Sequence, residues 1–114
     1  MNVAHATIDA GICGFVMEVA ASCEDEQNVR FQITSPCENI RALASRLPAV
    51  DAYSEIVTGF DGEIHKVARA SVKGCCSGCV VPVGIFKAMQ VSAGLALPRP
   101  VAISLNRNEE QDHD

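Results

Sequence analysis

The residues best suited to chemistry in this 114-residue chain are its six cysteines. Three of them, Cys75, Cys76 and Cys79, fall within five positions of the segment SVKGCCSGCVVP, residues 71–82. Thiolate sulfur is a nucleophile and a ligand for zinc and for iron–sulfur clusters. Cys76 and Cys79 have the C-x₂-C spacing of many metal sites, and Cys75 offers a C-x₃-C alternative. The segment therefore predicts thiol chemistry.

The other candidate thiols also fall where the chain is predicted to turn or to begin a helix. Cys13 lies inside the turn sequence GICG, and Cys37 follows a proline at a predicted helix start. Free N–H groups at helix starts donate to sulfur and favour the thiolate. We expect Cys13, Cys37, Cys76 and Cys79 to be the metal ligands, with Cys75 as a substitute for Cys76. Cys23, at a strand end, is predicted to be a packing residue.

Glycines accompany these thiols and permit close approach of the backbone to a bound group. The predicted glycines of the site are Gly11, Gly14, Gly78 and Gly84. Spacing alone does not separate an iron–sulfur cluster from zinc. No acid–base pair accompanies the thiols, so no catalytic residue is predicted, and a binding, carrier or redox-accessory role is favoured over stand-alone catalysis.

Three alternatives remain open from the residues. Cys79 or Cys37 is a candidate nucleophile of a sulfur carrier or sulfurtransferase, because each lies at a proline-marked helix start. A disulfide switch joining Cys76 and Cys79 is also conceivable. Finally, the thiols of a non-catalytic interaction domain would serve packing alone. Whether the protein is an enzyme is left open.

The elements that must position these residues follow from the hydrophobic pattern. Strands are predicted at 3–10, 15–22 and 29–34, where apolar and polar residues alternate, as in Phe15, Met17, Val19 and Ala21. The hairpin of the last two strands brings their apolar faces to one side of a sheet.

Helices are predicted to follow these strands. Residues 35–47 carry a capping box, with Ser35 as the N-cap and Glu38 three residues later. Further helices are predicted at about 49–58, 63–73 and 82–93, and the first of these has Val50, Tyr53, Val57 and Phe60 on its apolar face. The last of these begins at Pro82 and ends at Gly94. A final strand is predicted at 101–105.

The predicted fold is α+β in a single domain, residues 1–106, with a disordered polar tail at 107–114. A small antiparallel sheet of three N-terminal strands and one C-terminal strand packs with about four helices. The net charge of −5 and the scattered basic residues argue against nucleic acid or an anionic membrane as partner. No apolar segment is expected to span a membrane. We expect a cytoplasmic protein with reduced thiols, an unknown protein partner and possible homo-oligomers.

The sequences GICGFVMEV, ITSPCENIRALA and CVVPVGIFKAMQVSAGLALP resemble a family of small uncharacterised proteins from anaerobic bacteria and archaea. Its most specific part is the run from Cys79 to Ala88. The resemblance implies candidate positions at Cys13, Cys37 and Cys79 but no reaction, and an anaerobic setting suits an oxygen-labile cluster. A fainter likeness is to sulfur carriers with Cys-Pro-x-Pro at a helix start, although Val80 replaces the first proline here. A short chain with cysteines after a strand and at a helix start is also similar, by analogy alone, to iron–sulfur scaffold proteins.

Overall fold

The sheet is an antiparallel meander, described here from a computed structural model that covers residues 2–108. Its strands are β1 (Asn2–Asp9), β2 (Val16–Cys23), β3 (Asn28–Thr34) and β4 (Ala49–Asp51), and they lie side by side in chain order. Short turns join the first three strands because antiparallel neighbours need no crossover. The α+β class and the antiparallel sheet are confirmed.

Four helices accompany the sheet, the first between β3 and β4 and the other three after β4. They are α1 (Glu38–Ser45), α2 (Ala52–Thr58), α3 (Glu63–Ser71) and α4 (Val81–Ser92), with 3₁₀ turns at Gly59–Asp61 and Gly74–Gly78. Helix α4 packs on β1 and β2, and α1 packs on β3 and α3. The core lies between these helices and the sheet.

Alternation in β2 explains which of its side chains enter this core. Residues two apart in a strand point to the same face. The buried residues of β2 follow this rule: they are Met17, Val19, Ala21 and Cys23. Burial of Cys23 among apolar side chains confirms its prediction as a packing residue. Phe15 was predicted to share this face, but it precedes the strand and its side chain is 38% exposed. The inward set therefore begins at Met17.

The start of α1 differs from the predicted capping box. The helix begins at Glu38, and Cys37 is its N-cap residue, with extended backbone angles. Ser35 uses its hydroxyl to accept the N–H of Cys37 at 3.0 Å. This local turn satisfies a donor outside the helix instead of capping it, because serine readily bonds the backbone two residues on. Cys37 consequently lies at the helix entrance itself.

The fourth strand is not the predicted one. The helix predicted from residue 49 begins with β4, where Val50 pairs with Val29, and α2 starts only after Asp51. A three-residue strand is too short to show a period. Residues 101–105, predicted as the final strand, have no regular structure and are exposed.

The predicted apolar face of the second helix is also wrong. Tyr53, Val57 and Phe60 are 49%, 83% and 77% exposed. Helix α2 instead buries Ala52 and the carboxylate residue Glu55.

One segment, Gly74–Ser92, is long and apolar enough by composition to cross a membrane, contrary to the expectation that none would be. In the fold it is a 3₁₀ turn followed by α4, whose residues Val81, Ile85 and Met89 are fully buried. A core helix of a globular protein passes the same test of length and hydropathy. The single domain at 1–106 stays a prediction, and of the predicted tail 107–114, positions 109–114 lie outside the described residues.

A buried carboxylate fixes the start of α3. Glu55 is 2% exposed, and its two oxygens accept the N–H groups of Glu63 and Ile64 at 2.8 and 2.9 Å. These are orphan donors of the first helical turn, and negative charge is favoured there. Gly62 leaves room for the carboxylate, because a Cβ at this position would lie 3.0 Å from both oxygens.

Glu55→Gln tests this cap. The amide keeps one acceptor but points an NH₂ group at the second donor, so we expect the free energy of unfolding to fall by about 2 kcal/mol. Urea denaturation measures the change. The matched control is Glu63→Gln on the exposed side of the same turn, whose loss is expected to stay within about 0.5 kcal/mol. Equal losses for the two variants would contradict the role given to Glu55.

Candidate thiol site

Cys13 lies at the tip of the β1–β2 hairpin, on a turn that two glycines make possible. The N–H of Gly14 bonds the carbonyl of Gly11 at 2.8 Å, and the Asp9 carboxylate accepts the N–H of Gly11 at 3.0 Å. Both glycines have positive φ, +89° and +79°, which residues with a Cβ rarely adopt. The thiol-bearing residue is therefore presented at an exposed tip.

The strand register places Cys37 at the same end of the sheet. Asp9 pairs with Val16 beside the hairpin tip, and Thr34, the last residue of β3, pairs with Glu18 only two residues further along β2. The chain therefore leaves β3 close to the tip that holds Cys13. Three residues later it reaches the half-buried Cys37.

The cysteine segment joins this end through α1 and α4. Asn39, in the first turn of α1, donates its side-chain N–H to the sulfur of Cys76 at 3.8 Å. The N–H of Cys79 bonds the carbonyl of Cys76 at 3.0 Å, which closes the turn between the two thiols. Burial has the largest influence on the pKa of the Cys79 thiol and raises it, whereas the backbone N–H of Val81, the first residue of α4, lowers it, as expected for a thiol at a helix start.

Burial and the other thiols both act on Cys79. Burial raises the pKa of Cys79, the backbone N–H of Val81 opposes that rise, and the thiols of Cys13, Cys37 and Cys76 raise it further to a smaller extent. A second negative charge nearby makes ionisation of a thiol more costly. Together with the strand register, these influences indicate that the four thiols lie toward the same end of the sheet.

The thiols do not close around a common centre in this conformation. Across residues 2–108, no three histidine, cysteine, aspartate or glutamate side chains lie close enough together to hold one metal ion. Thiolate ligands lie about 2.3 Å from a metal, so the sulfurs would have to approach further. The Cys13 turn has room for this, since nothing lies within 4 Å of a Cβ built on Gly11 or Gly14.

The structure distinguishes between the two adjacent cysteines. Cys76 is half-buried, bonded by Asn39, and one of the three thiols acting most strongly on Cys79. Cys75 is exposed and is not among those three. Cys76 is therefore the better ligand candidate, as its C-x₂-C spacing with Cys79 indicates. Asn39 was missed by sequence reasoning, because its contact spans 37 positions and no local pattern marks it.

Two of the predicted site glycines have other surroundings. A Cβ on Gly84 would lie 2.4 Å from Cδ1 of Ile8, so this glycine lets α4 approach β1. Its missing side chain is explained by packing. Gly78 has open space around it and no positive φ.

A second surface feature is a cleft between α3 and α4. His65, predicted to be a surface residue, is half-buried and has its ring between Phe60 and Phe86, at centroid distances of 4.7 and 5.4 Å. These rings line an open cleft of about 300 Å³ together with residues of α4 such as Lys87. The cleft contains none of the six cysteines.

Comparison with known proteins gives a family and no activity. A family model described as a family of unknown function (DUF6951) matches residues 4–105. No curated protein and no solved structure matches the chain.

The close approach at Gly84 predicts a coupled pair of substitutions. Gly84→Ala forces a methyl group against Ile8, so we expect a loss of about 1–2 kcal/mol in unfolding free energy, despite the better helix propensity of alanine. Ile8→Val removes the clashing Cδ1. The double variant should therefore lose less unfolding free energy than the two single variants lose together. A double-mutant cycle measured by urea denaturation gives the difference. Strict additivity would show that the two residues do not touch.

Thiol accessibility predicts an order of alkylation in the metal-free, reduced protein. Exposed Cys13 and Cys75 should react with iodoacetamide first, and Cys79 later, since its raised pKa leaves little thiolate. Cys23 should react only after unfolding. Timed quenching and peptide mass spectrometry give the rates, and an early reaction of Cys23 would contradict the fold.

Proposed function

We propose that this chain, which belongs to a family of unknown function (DUF6951), binds a metal ion or iron–sulfur cluster through Cys13, Cys37, Cys76 and Cys79. The role is that of a binding or carrier protein. The single observation that carries the proposal is that the strand register and the contact of Asn39 with the Cys76 sulfur bring thiols distant in the chain toward one end of the sheet. The thiols of Cys13 and Cys37, far along the chain, and that of Cys76, three positions away, also add to the raised pKa of Cys79, after burial.

The donor set fits a soft metal. Four thiolates suit zinc or an iron–sulfur cluster, and the side-chain N–H of Asn39 already points at the Cys76 sulfur. Without a metal, burial and, to a smaller extent, the neighbouring thiols raise the pKa of Cys79, whereas a bound cation would favour the thiolates. The chemistry of the site is therefore complementary to a cation.

Exposure favours a carrier over a closed structural site. Cys13 sits on an exposed turn, and Cys37, Cys76 and Cys79 are only partly buried. Structural zinc sites are closed to solvent, whereas a metal or cluster that is passed on must be reached by the receiving protein. A reducing compartment, the cytoplasm, keeps such thiols available.

The rival function is sulfur transfer through a single thiol. Cys79 suits it less well, because a raised pKa lowers the fraction of nucleophilic thiolate. Cys37, at the N-cap of α1, remains a candidate for this alternative. An interaction domain with packing thiols is the third possibility.

Anaerobic metal loading tests the proposal. Reduced protein is titrated with Co²⁺ as a probe for a thiolate site and, separately, reconstituted with Fe²⁺ and sulfide. We expect absorption bands typical of thiolate ligation, and Ser substitution of Cys13, Cys37, Cys76 or Cys79 should weaken Co²⁺ binding at least about 10-fold, the range seen when a site loses a supporting group.

Cys75→Ser is the matched control, because it removes an adjacent thiol that the geometry leaves outside the set. Its affinity for Co²⁺ should equal that of the unchanged protein. A chain that binds neither probe while folded and fully reduced would refute the metal proposal.

The same variants separate the alternatives. Incubation with a persulfide donor, followed by intact mass measurement, would add one sulfur to Cys37 or Cys79 in a sulfur carrier. If loading occurs without metal binding and is lost in either Cys37→Ser or Cys79→Ser but not in the other variants, the rival function is correct. If neither occurs, the thiols serve packing.

A further inference from the structure

The segment that follows α4 has the pattern of a strand but no strand to pair with. We call this segment, residues 99–106, the C-terminal arm. In the arm, Val101, Ile103 and Leu105 alternate with small or polar residues. Their side chains are 59%, 66% and 90% exposed. Within residues 2–108 the arm makes no backbone–backbone hydrogen bond. Apolar alternation of this kind is typical of a half-buried strand.

The sheet offers one long open edge. Strand β1 is the first in the sheet order and pairs only with β2, so its other side has unpaired backbone groups along eight residues. It contains no proline or lysine that would block a further strand. The opposite edge, β4, is only three residues long. An added strand therefore belongs at β1.

Two prolines mark the beginning of the arm. Pro98 and Pro100 fix their own φ and favour extended backbone at the residues before them, Leu97 and Arg99. Residues 99–101 lie beside the end of α4, and the arm pairs with no strand of the described residues, although the edge of β1 in the same chain is open. A second copy of the chain can offer its own β1 edge to this arm, and the arm of the second copy can then pair with the β1 edge of the first.

We propose that this protein forms a two-fold symmetric dimer in which the C-terminal arm of each chain adds as an antiparallel strand to the outer edge of β1 of the other. The exchange is reciprocal, so both open edges and both arms are covered and the assembly closes. Backbone hydrogen bonds supply much of the affinity in strand addition, and alternate side chains set the register.

The hydrophobic pattern chooses the register. On β1, Ala4 and Ile8 are buried and Ala6 is partly buried, and these side chains face α4. Placing Leu105, Ile103 and Val101 beside Ala4, Ala6 and Ile8 continues that apolar row, whereas a slip of one residue would turn all three into solvent.

An antiparallel arm continues the antiparallel pairing of the whole sheet. In this register Arg99 lies opposite Ala10, just beyond the hairpin end of β1. The small side chains of Ala4 and Ala6 also leave space along the edge for the larger side chains of the arm.

Light scattering and hydrogen exchange on the full chain test the dimer. The protein is kept reduced and free of metal, so that neither disulfides nor shared ions can join two chains. We expect twice the chain mass, with the amides of residues 101–105 protected and their protection lost on dilution.

Ile103→Asp should weaken the dimer at least about 100-fold, since a buried apolar side chain is replaced by a charge at both symmetric interfaces. The matched control is Ser104→Asp, whose side chain faces solvent on the added strand, and it should leave the dimer intact. Both positions are exposed in the single chain, so both variants should fold.

Three results would overturn the proposal. One is a monomer with unprotected arm amides. Another is a monomer with protected arm amides, which would mean that the arm pairs with its own sheet. The third is a dimer that survives Ile103→Asp unchanged, because its interface would then lie elsewhere. Metal binding by the thiols is independent of each of these results.

Discussion

The close packing of α4 against the first two strands is the constraint on which the site depends. Gly84 has no side chain, and Ile8 occupies the space where a Cβ would otherwise be. Ile8 is the last but one residue of β1, so the contact holds the first turn of α4 over the hairpin end of the sheet. This brings Cys79, just before the helix, toward Cys13 at the hairpin tip. A change in helix position at this contact would separate the thiols.

The meander supplies the second half of the arrangement. Antiparallel pairing brings the β1–β2 turn and the end of β3 to one edge of the sheet, and Cys37 follows that end directly. Asn39 then links α1 to Cys76 across 37 positions of the chain. Cys13 and Cys37 therefore lie at the same end of the sheet, and an amide donor lies beside the sulfur of Cys76.

The strands β1, β2 and β3 could be predicted because the buried side chains of a half-buried strand recur every two residues. Met17, Val19 and Ala21 follow that repeat. The apolar spacing of α1, with Ile40 and Leu43 buried, was readable for the corresponding helical reason. Two other local outcomes could not be predicted from the pattern. Ser35 serves a turn instead of a cap, and Val50 forms a strand too short to have a period. For Val50 the partner that decides, Val29, lies far away in the chain, whereas Ser35 chooses between two local partners and bonds the N–H of Cys37 two residues on.

The sequence by itself determined the strand and helix types and the placing of most thiols at turns and helix entrances, because these features depend on periodicity, glycine and proline. Only the tertiary structure decided that Cys13 and Cys37 come to one end of the sheet, that Asn39 contacts the sulfur of Cys76, and that Gly84 serves packing. It also decided that residues 101–105 do not complete the sheet of a single chain. These outcomes depend on contacts between residues far apart in the chain, and such contacts leave no local pattern.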